Sequence, residues 1–263
     1  MTRVLVTGST AGLGCAAARQ LLKDGHEVVL HSRNQARVES VLDLVDGAAG
    51  LVVGDLASAA ETQHVADQVN AIGAVDAVIH NAAIYVDPQR VVTKEGHART
   101  LAINVLAPYL LTAWVRGPSR LVYISSSMHA DGDDSLQDMD WTTRSWNGVQ
   151  AYCDSKLFII ALAFAIARRW PDVRTNVVDP GWVPTRMGGP GATDDLELGH
   201  LTQTWLAVSD DREATTSGGY WYHQRRRPPA PASLNETFQH ALLGELIRLT
   251  GVYRPKTAAD RNE

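Results

Sequence analysis

RVLVTGSTAGLG, residues 3–14, decides how the chain is read. RVLVT is a short run rich in β-branched residues, and GSTAGLG is a glycine turn that opens a helical pattern. Gly8 permits a tight turn, Gly12 lets the backbone approach a ligand, and Gly14 lets the next helix pack close to the strand. The first amides of a helix have no intrahelical partners and suit phosphate groups. Strand, glycine turn and helix in that order predict a dinucleotide cradle of Gly8, Ser9, Thr10, Ala11, Gly12, Leu13 and Gly14. The spacing is GxxxGxG rather than GxGxxG, and such a turn also occurs as structure alone. No GK[ST] follows, so it is not a Walker loop, and it is not a GxSxG nucleophile elbow.

Outward from the turn, strand-like and helical runs alternate. Strands are expected at 3–7, 28–32, 50–54, 75–81, 120–126 and 174–181, with a last strand region in SGGYWY, 217–222. Helices are expected at 12–24, 34–45, 59–72, 95–116, 151–170 and 233–250. This order implies βαβ units with right-handed crossovers. The result is an α/β three-layer sandwich, a doubly wound, mostly parallel Rossmann sheet with helices on both faces. Near-continuous apolar strands fit burial on both faces. Three segments interrupt the pattern, at 128–150, 184–210 and 223–232, and read as substrate-shaping insertions. No linker divides the chain, so one domain is expected over 1–263.

The composition is 45% hydrophobic and 20% charged over 263 residues, that of a globular protein. The net charge is −5, and no broad basic field points to nucleic acid. Cys15 and Cys153 give neither metal spacing nor a disulfide framework, so a reducing, cytoplasmic setting is expected. MTRVLVTG enters a strand with no signal-peptide core, and the apolar run LFIIALAFAIA (157–167) is too short to span a bilayer. That run reads as a buried or interface helix, with no membrane anchor.

The second strand ends in HSRN, 31–34. An acidic residue there would hold a ribose 2′-hydroxyl; Arg33, with Ser32 and Asn34, suits a 2′-phosphate instead. NADP(H) is therefore expected over NAD(H), against the plainer reading of a solvated arginine. Asp55, followed by Leu56, is placed to accept from an adenine amino group or to cap the next helix. AYCDSK, 151–156, puts Tyr152 and Lys156 four apart, on one helical face. A cation beside a phenol lowers its pKa from about 10 toward neutrality. A surface tyrosine over a lysine stem has the same spacing.

With these pieces the chain resembles the single-domain short-chain dehydrogenase/reductase family. The matching motifs are TGSTAGLG (7–14), Asp55, HNAA (80–83), Asn104 in LAINVLAPYLLT, ISSS (124–127), Tyr152/Lys156 and PGWVPT (180–185), in family order to about residue 186. The details look most like retinol-dehydrogenase-like carbonyl reductases. Ala83 stands where the family has glycine, and the gap between the serines and Tyr152 is longer than usual.

The resemblance implies an NADP(H)-dependent oxidoreductase moving a hydride between nicotinamide and a ketone, aldehyde or secondary alcohol. Tyr152 would be the acid or base, and Ser126 would polarise the carbonyl, with Ser125 and Ser127 as alternatives. Lys156 would tune the phenol and hold the ribose, and Asn104 would hold a relay water. Asn81, Ala82, Ala83, Pro180, Gly181, Val183 and Thr185 would border the cofactor, Asn81 chiefly by tying strands together. Met128, His129, Trp141, Trp146, Trp182, Met187 and Trp205 are candidates to line an apolar substrate site, for a bulky hydrophobic or aromatic compound. The apolar excess of helix 151–170 points to a homodimer or homotetramer. A non-catalytic dinucleotide sensor would dispense with Tyr152 and Lys156. A sugar-nucleotide epimerase fits poorly with the GxxxGxG spacing and the short C-terminal part.

Overall fold

The computed structural model describes residues 1–253; residues 254–263, part of the expected domain, lie outside the described residues. Its sheet has eight strands in the order β3-β2-β1-β4-β5-β6-β7-β8. These are β1 Arg3–Val6, β2 Glu27–Ser32, β3 Gly50–Val53, β4 Ala77–His80, β5 Arg120–Ile124, β6 Arg174–Asp179, β7 Gly219–Tyr222 and β8 Arg225–Arg227. The first seven are parallel. β8 pairs antiparallel with β7, Tyr222 opposite Arg225. The expected basic loop at 223–232 therefore contains an edge strand. Left-handed His223 and Gln224 form its hairpin turn.

Alternate strand residues enter two separate cores. Leu5, Val29, Val78, Leu121 and Val177 face α3 (Ala59–Ile72), α5 (Ala107–Trp114) and α6 (Gly148–Arg169). Val4, Val6, Val28, Leu30, Ile79, Val122 and Val178 face α1 (Gly12–Lys23), α2 (Leu42–Val45) and α7 (Leu198–Val208). Burial on both faces is why the strands show so little polar alternation.

Several boundaries move for local reasons. The expected helix at 34–45 is a 3-10 turn, Gln35–Val41, followed by α2; Asn34 caps it by accepting from the Arg37 amide at 3.2 Å. The expected helix at 95–116 begins at α4, Arg99–Leu101, because the Asp140 carboxylate holds the Ala98 amide at 2.8 Å. It then passes through a π-helical stretch, Ala102–Leu106, into α5. The final helix is split into α8 (Pro231–Leu234) and α9 (Glu236–Thr250), with Asn235 capping α9.

α6 begins three residues before expectation, capped by Asn147 on the Gln150 amide at 3.1 Å. At 22 residues it is long and apolar enough to cross a membrane, yet 89% of that window is buried inside the protein. Ala151 through Ile166 are all buried. β6 covers one side, α8 and α9 another, with Phe158 and Phe238 rings 6.1 Å apart. The 128–150 segment covers a third through Met139 and Trp141. The apolar excess is satisfied within the chain, so it no longer argues for an oligomer.

The strand order reverses between β1 and β4, which opens a crevice at the C-terminal ends of the strands. The glycine turn, Asn81, Ser126 and Gly181 all follow strand ends there.

Candidate functional site

The glycine turn is shaped from below. Gly8 and Gly12 have φ of 67° and 54°. A Cβ on Gly14 would collide with the Asn81 amide and the Gly8 carbonyl, and one on Gly8 would lie 3.1 Å from Ala82 Cα. Asn81 donates from Nδ2 to the Thr7 carbonyl at 2.9 Å, and the Asn81 and Ala82 amides both donate to Thr7 Oγ1. Asn81 therefore ties β4 to β1. Ser9 Oγ accepts from the His31 amide at 2.8 Å, so its hydroxyl braces the turn from inside. Ala11, at the start of α1, offers no side-chain cap, and the first turn carries no acidic residue. Unpartnered amides, left-handed glycines and close strand packing fit a dinucleotide pyrophosphate.

His31 was not singled out from sequence. Its Nδ1 accepts from the Gly8 amide at 2.9 Å, and its Nε2 lies 3.0 Å from the Gly54 carbonyl. A backbone amide only donates and a carbonyl only accepts, so the ring is the neutral Nε2–H tautomer. Burial pulls its pKa down to about 4, opposed by the Gly54 hydrogen bond and Asp55.

At the β2 end, Ser32 is fully buried and donates to the Asn34 carbonyl at 2.7 Å. Arg33 is exposed and, among the described residues, makes no hydrogen bond or ion pair. Asp55 accepts from the Ala57 amide at 3.0 Å, and Leu56 is buried behind it. The cap of α3 is Ser58, not Asp55, since Ser58 Oγ accepts from the Glu61 amide. Thr10 is largely buried, while Ala11 and Gly12 are exposed. Thr185 arches over Gly12, its methyl 3.7 Å from where a Cβ would stand; buried Val183 and half-buried Leu13 both crowd Gly199. Pro180, Gly181 and Ala83 are half-buried at the crevice.

Tyr152 and Lys156 lie on α6 with Lys156 Nζ 5.4 Å from the phenol ring centre. Nζ donates to the Ile124 carbonyl at 2.9 Å. Burial pulls the Lys156 pKa down to about 8, with Asp179 opposing. Burial pushes the Tyr152 phenol up; the adjacent Ser126 hydroxyl opposes this, and Tyr85, Asp179 and Cys153 add to it. In the protein alone the phenol is held protonated, against the expected lowering by Lys156. Desolvation of a nearly buried phenol exceeds the pull of an ammonium above its ring face.

The strand ends at Ile124, which separates the three serines. Ser125 is buried and donates to the Lys156 carbonyl at 3.0 Å. Ser127 is exposed at the start of a 3-10 turn. Ser126 is half-buried beside the phenol, and its Oγ accepts from the Met128 amide at 3.3 Å. Asn104 lies in the π-helical stretch, and its side chain is fully engaged. Oδ1 accepts from the Ile84 amide at 2.9 Å; Nδ2 donates to the Ile84 carbonyl and to Ser155 Oγ at 3.1 and 3.0 Å. It fixes the loop after β4 to α6, and a relay water would have to use its backbone carbonyl.

That loop brings Tyr85, also missed from sequence, edge-on to Tyr152 with centroids 4.8 Å apart. Its hydroxyl reaches Met128 Sδ at 3.9 Å, and it is 39% exposed. Trp182 and Met187 are exposed on the segment after β6, with Trp182 Nε1 donating to the Gly188 carbonyl. The other aromatic candidates pack elsewhere. Trp141 is buried against the Ala151, Asp154, Ser155 and Phe158 face of α6, under the Arg144 guanidinium. Trp146 packs edge-on to Trp141 and donates to the Asp87 carbonyl. Trp205 packs on Trp221 and donates to Asp211, on the far side of the sheet. His129 is buried, with both ring nitrogens engaged by backbone. Tryptophans at an insertion were ambiguous because the same apolar area fills cores and pockets.

A family model described as enoyl-(acyl carrier protein) reductase matches residues 8–209. The chain belongs to the short-chain dehydrogenase/reductase family. The short-chain dehydrogenase chyC of Penicillium rubens is 40% identical over 97% of this chain and 100% of its own length. Human retinol dehydrogenase 13 is 28% identical over 96% of this chain and 85% of its own length. In fold, an uncharacterized protein from Mycobacterium paratuberculosis superposes with a TM-score of 0.81 at 22% identity, over 96% of this chain and 94% of the other.

Proposed function

We propose that this oxidoreductase is an NADP(H)-dependent carbonyl reductase or alcohol dehydrogenase. The observation that carries the reading is the Ser126 hydroxyl set beside the buried phenol of Tyr152, at the strand-end crevice that the glycine turn also borders. The cofactor, when bound, supplies or accepts a hydride at the carbonyl carbon. Ser126 donates to the carbonyl oxygen as negative charge develops there. Tyr152 delivers its proton to that oxygen, giving the alcohol, and the phenolate is reprotonated through Lys156. In oxidation the same phenolate takes the alcohol proton.

Gly8, Gly12 and the amides of α1 hold the pyrophosphate, and Asp55 meets the adenine. Free Arg33 meets the 2′-phosphate, which favours NADP(H) over NAD(H). Lys156 has donors left for ribose hydroxyls beyond its bond to Ile124. Tyr85, Met128, Trp182 and Met187 offer an apolar, aromatic mouth, which suits a bulky hydrophobic carbonyl compound. The expected cytoplasmic setting rests on two free cysteines. Fluorescence titration with NADPH and NADH tests the cofactor reading. Tighter NADPH binding supports it, and no binding of either overturns it.

A further inference from the structure

Ser126 has extended backbone, φ −164° and ψ 154°, at the point where β5 has ended, and its carbonyl takes the first bond of the 3-10 turn, from the His129 amide at 3.1 Å. The His129 side chain adds a second bond. Its Nδ1 lies 2.7 Å from the Ser126 carbonyl, and its Nε2 lies 2.9 Å from the Ala230 amide. The amide can only donate, so Nε2 accepts and Nδ1 carries the proton. The ring is neutral with its tautomer set by two backbone groups.

A second layer stands behind the ring. Tyr220 packs on His129 with centroids 4.9 Å apart, and its oxygen is 3.4 Å from Nδ1. The Tyr220 hydroxyl donates to Asp179 Oδ2 at 3.0 Å, and Asp179 Oδ1 accepts from the Gly181 amide at 3.0 Å. His129, Tyr220 and Asp179 are all buried. The chain of bonds thus joins the turn after β5, the end of β6, strand β7 and the segment before α8.

We infer that His129, backed by Tyr220 and Asp179, is a positioning residue that sets the Ser126 hydroxyl against Tyr152. Through Ala230 the segment after β7 is joined to the same ring. This rests on Ser126 being the carbonyl-polarising group. A displacement of about 1 Å at such a group can cost on the order of 100-fold in rate.

Two variants separate the halves of the histidine. An asparagine amide N–H reaches roughly where Nδ1–H stood, and a glutamine oxygen roughly where Nε2 stood. His129→Asn keeps the bond to Ser126, whereas His129→Gln keeps the bond to Ala230. With NADPH and a turned-over ketone, His129→Gln should lose at least ~10-fold more kcat than His129→Asn, with little difference in NADPH affinity. Equal losses, or the reverse order, overturn the inference. If either variant fails to fold, Tyr220→Phe keeps the ring and removes one hydroxyl. It should lower kcat several-fold with KM little changed, and unchanged kcat overturns the brace. Ser126→Ala, measured alongside, separates the two claims. Intact turnover there sinks the reading of Ser126, whereas lost turnover with equivalent His129 variants sinks only the brace.

Discussion

The Gly8 amide donates to Nδ1 of His31 at 2.9 Å, so the first glycine of the cofactor turn hangs on a buried neutral imidazole. Protonating that ring removes the acceptor. Burial holds the folded-state pKa of His31 at about 4 and of His80, unpaired at Nδ1, at about 3. An unfolded imidazole titrates at about 6.5. Between these values the unfolded chain binds the extra protons. Stability is therefore complete above about pH 6.5 and falls as pH drops toward 4. The slope is about 1.4 kcal/mol per pH unit for each ring. Urea midpoints taken between about pH 7 and pH 5 should fall accordingly. A flat profile contradicts neutral burial of both rings.

Gly14 faces the Asn81 amide with no room for a methyl group. Gly14→Ala should cost about 1–3 kcal/mol of stability by overpacking. It should also weaken NADPH binding by at least ~10-fold, because α1 would move off β4. Chemical denaturation and fluorescence titration read the two effects, and unchanged values for both would refute the packing explanation.

Arg33 is exposed without a protein partner among the described residues. Arg33→Ala should weaken NADPH by about 10–100-fold, as expected for loss of one charge-assisted phosphate contact, and leave NADH nearly unchanged. An unaltered ratio of the two affinities would falsify the 2′-phosphate assignment.

α6 is buried by its own chain from Ala151 to Ile166. Light scattering at micromolar concentration, read against the 28.5 kDa of one chain, should therefore report no dimer held through α6. A stable dimer held through α6 would contradict the packing of α8 and α9 on it.

Most of the sheet was legible because glycine turns, β-branched runs and helical spacing are local signals. β1 to β7 and α3 fall where the sequence puts them; helical spacing singled out Tyr152 and Lys156, and the resemblance supplied their roles and Ser126. What was not legible depends on distant partners. β8 needs the edge of β7, and the late start of α4 needs Asp140. His31 and Tyr85 look ordinary until the Gly8 amide and Tyr152 are beside them. The indoles of Trp141 and Trp146 read as pocket walls because sequence does not say which face of α6 they cover. The lowered Tyr152 pKa was expected from Lys156 and the charge of the oxidised nicotinamide, before the burial of the phenol could be weighed.

The most direct measurement is NADPH oxidation with a panel of bulky ketones, by the unaltered protein and by Tyr152→Phe. Removing the phenolic proton donor should lower kcat by about 100-fold or more, the usual range for a lost general acid, while NADPH affinity stays within a few-fold. Turnover that survives Tyr152→Phe unchanged would contradict proton delivery by Tyr152, and with it the proposed reaction.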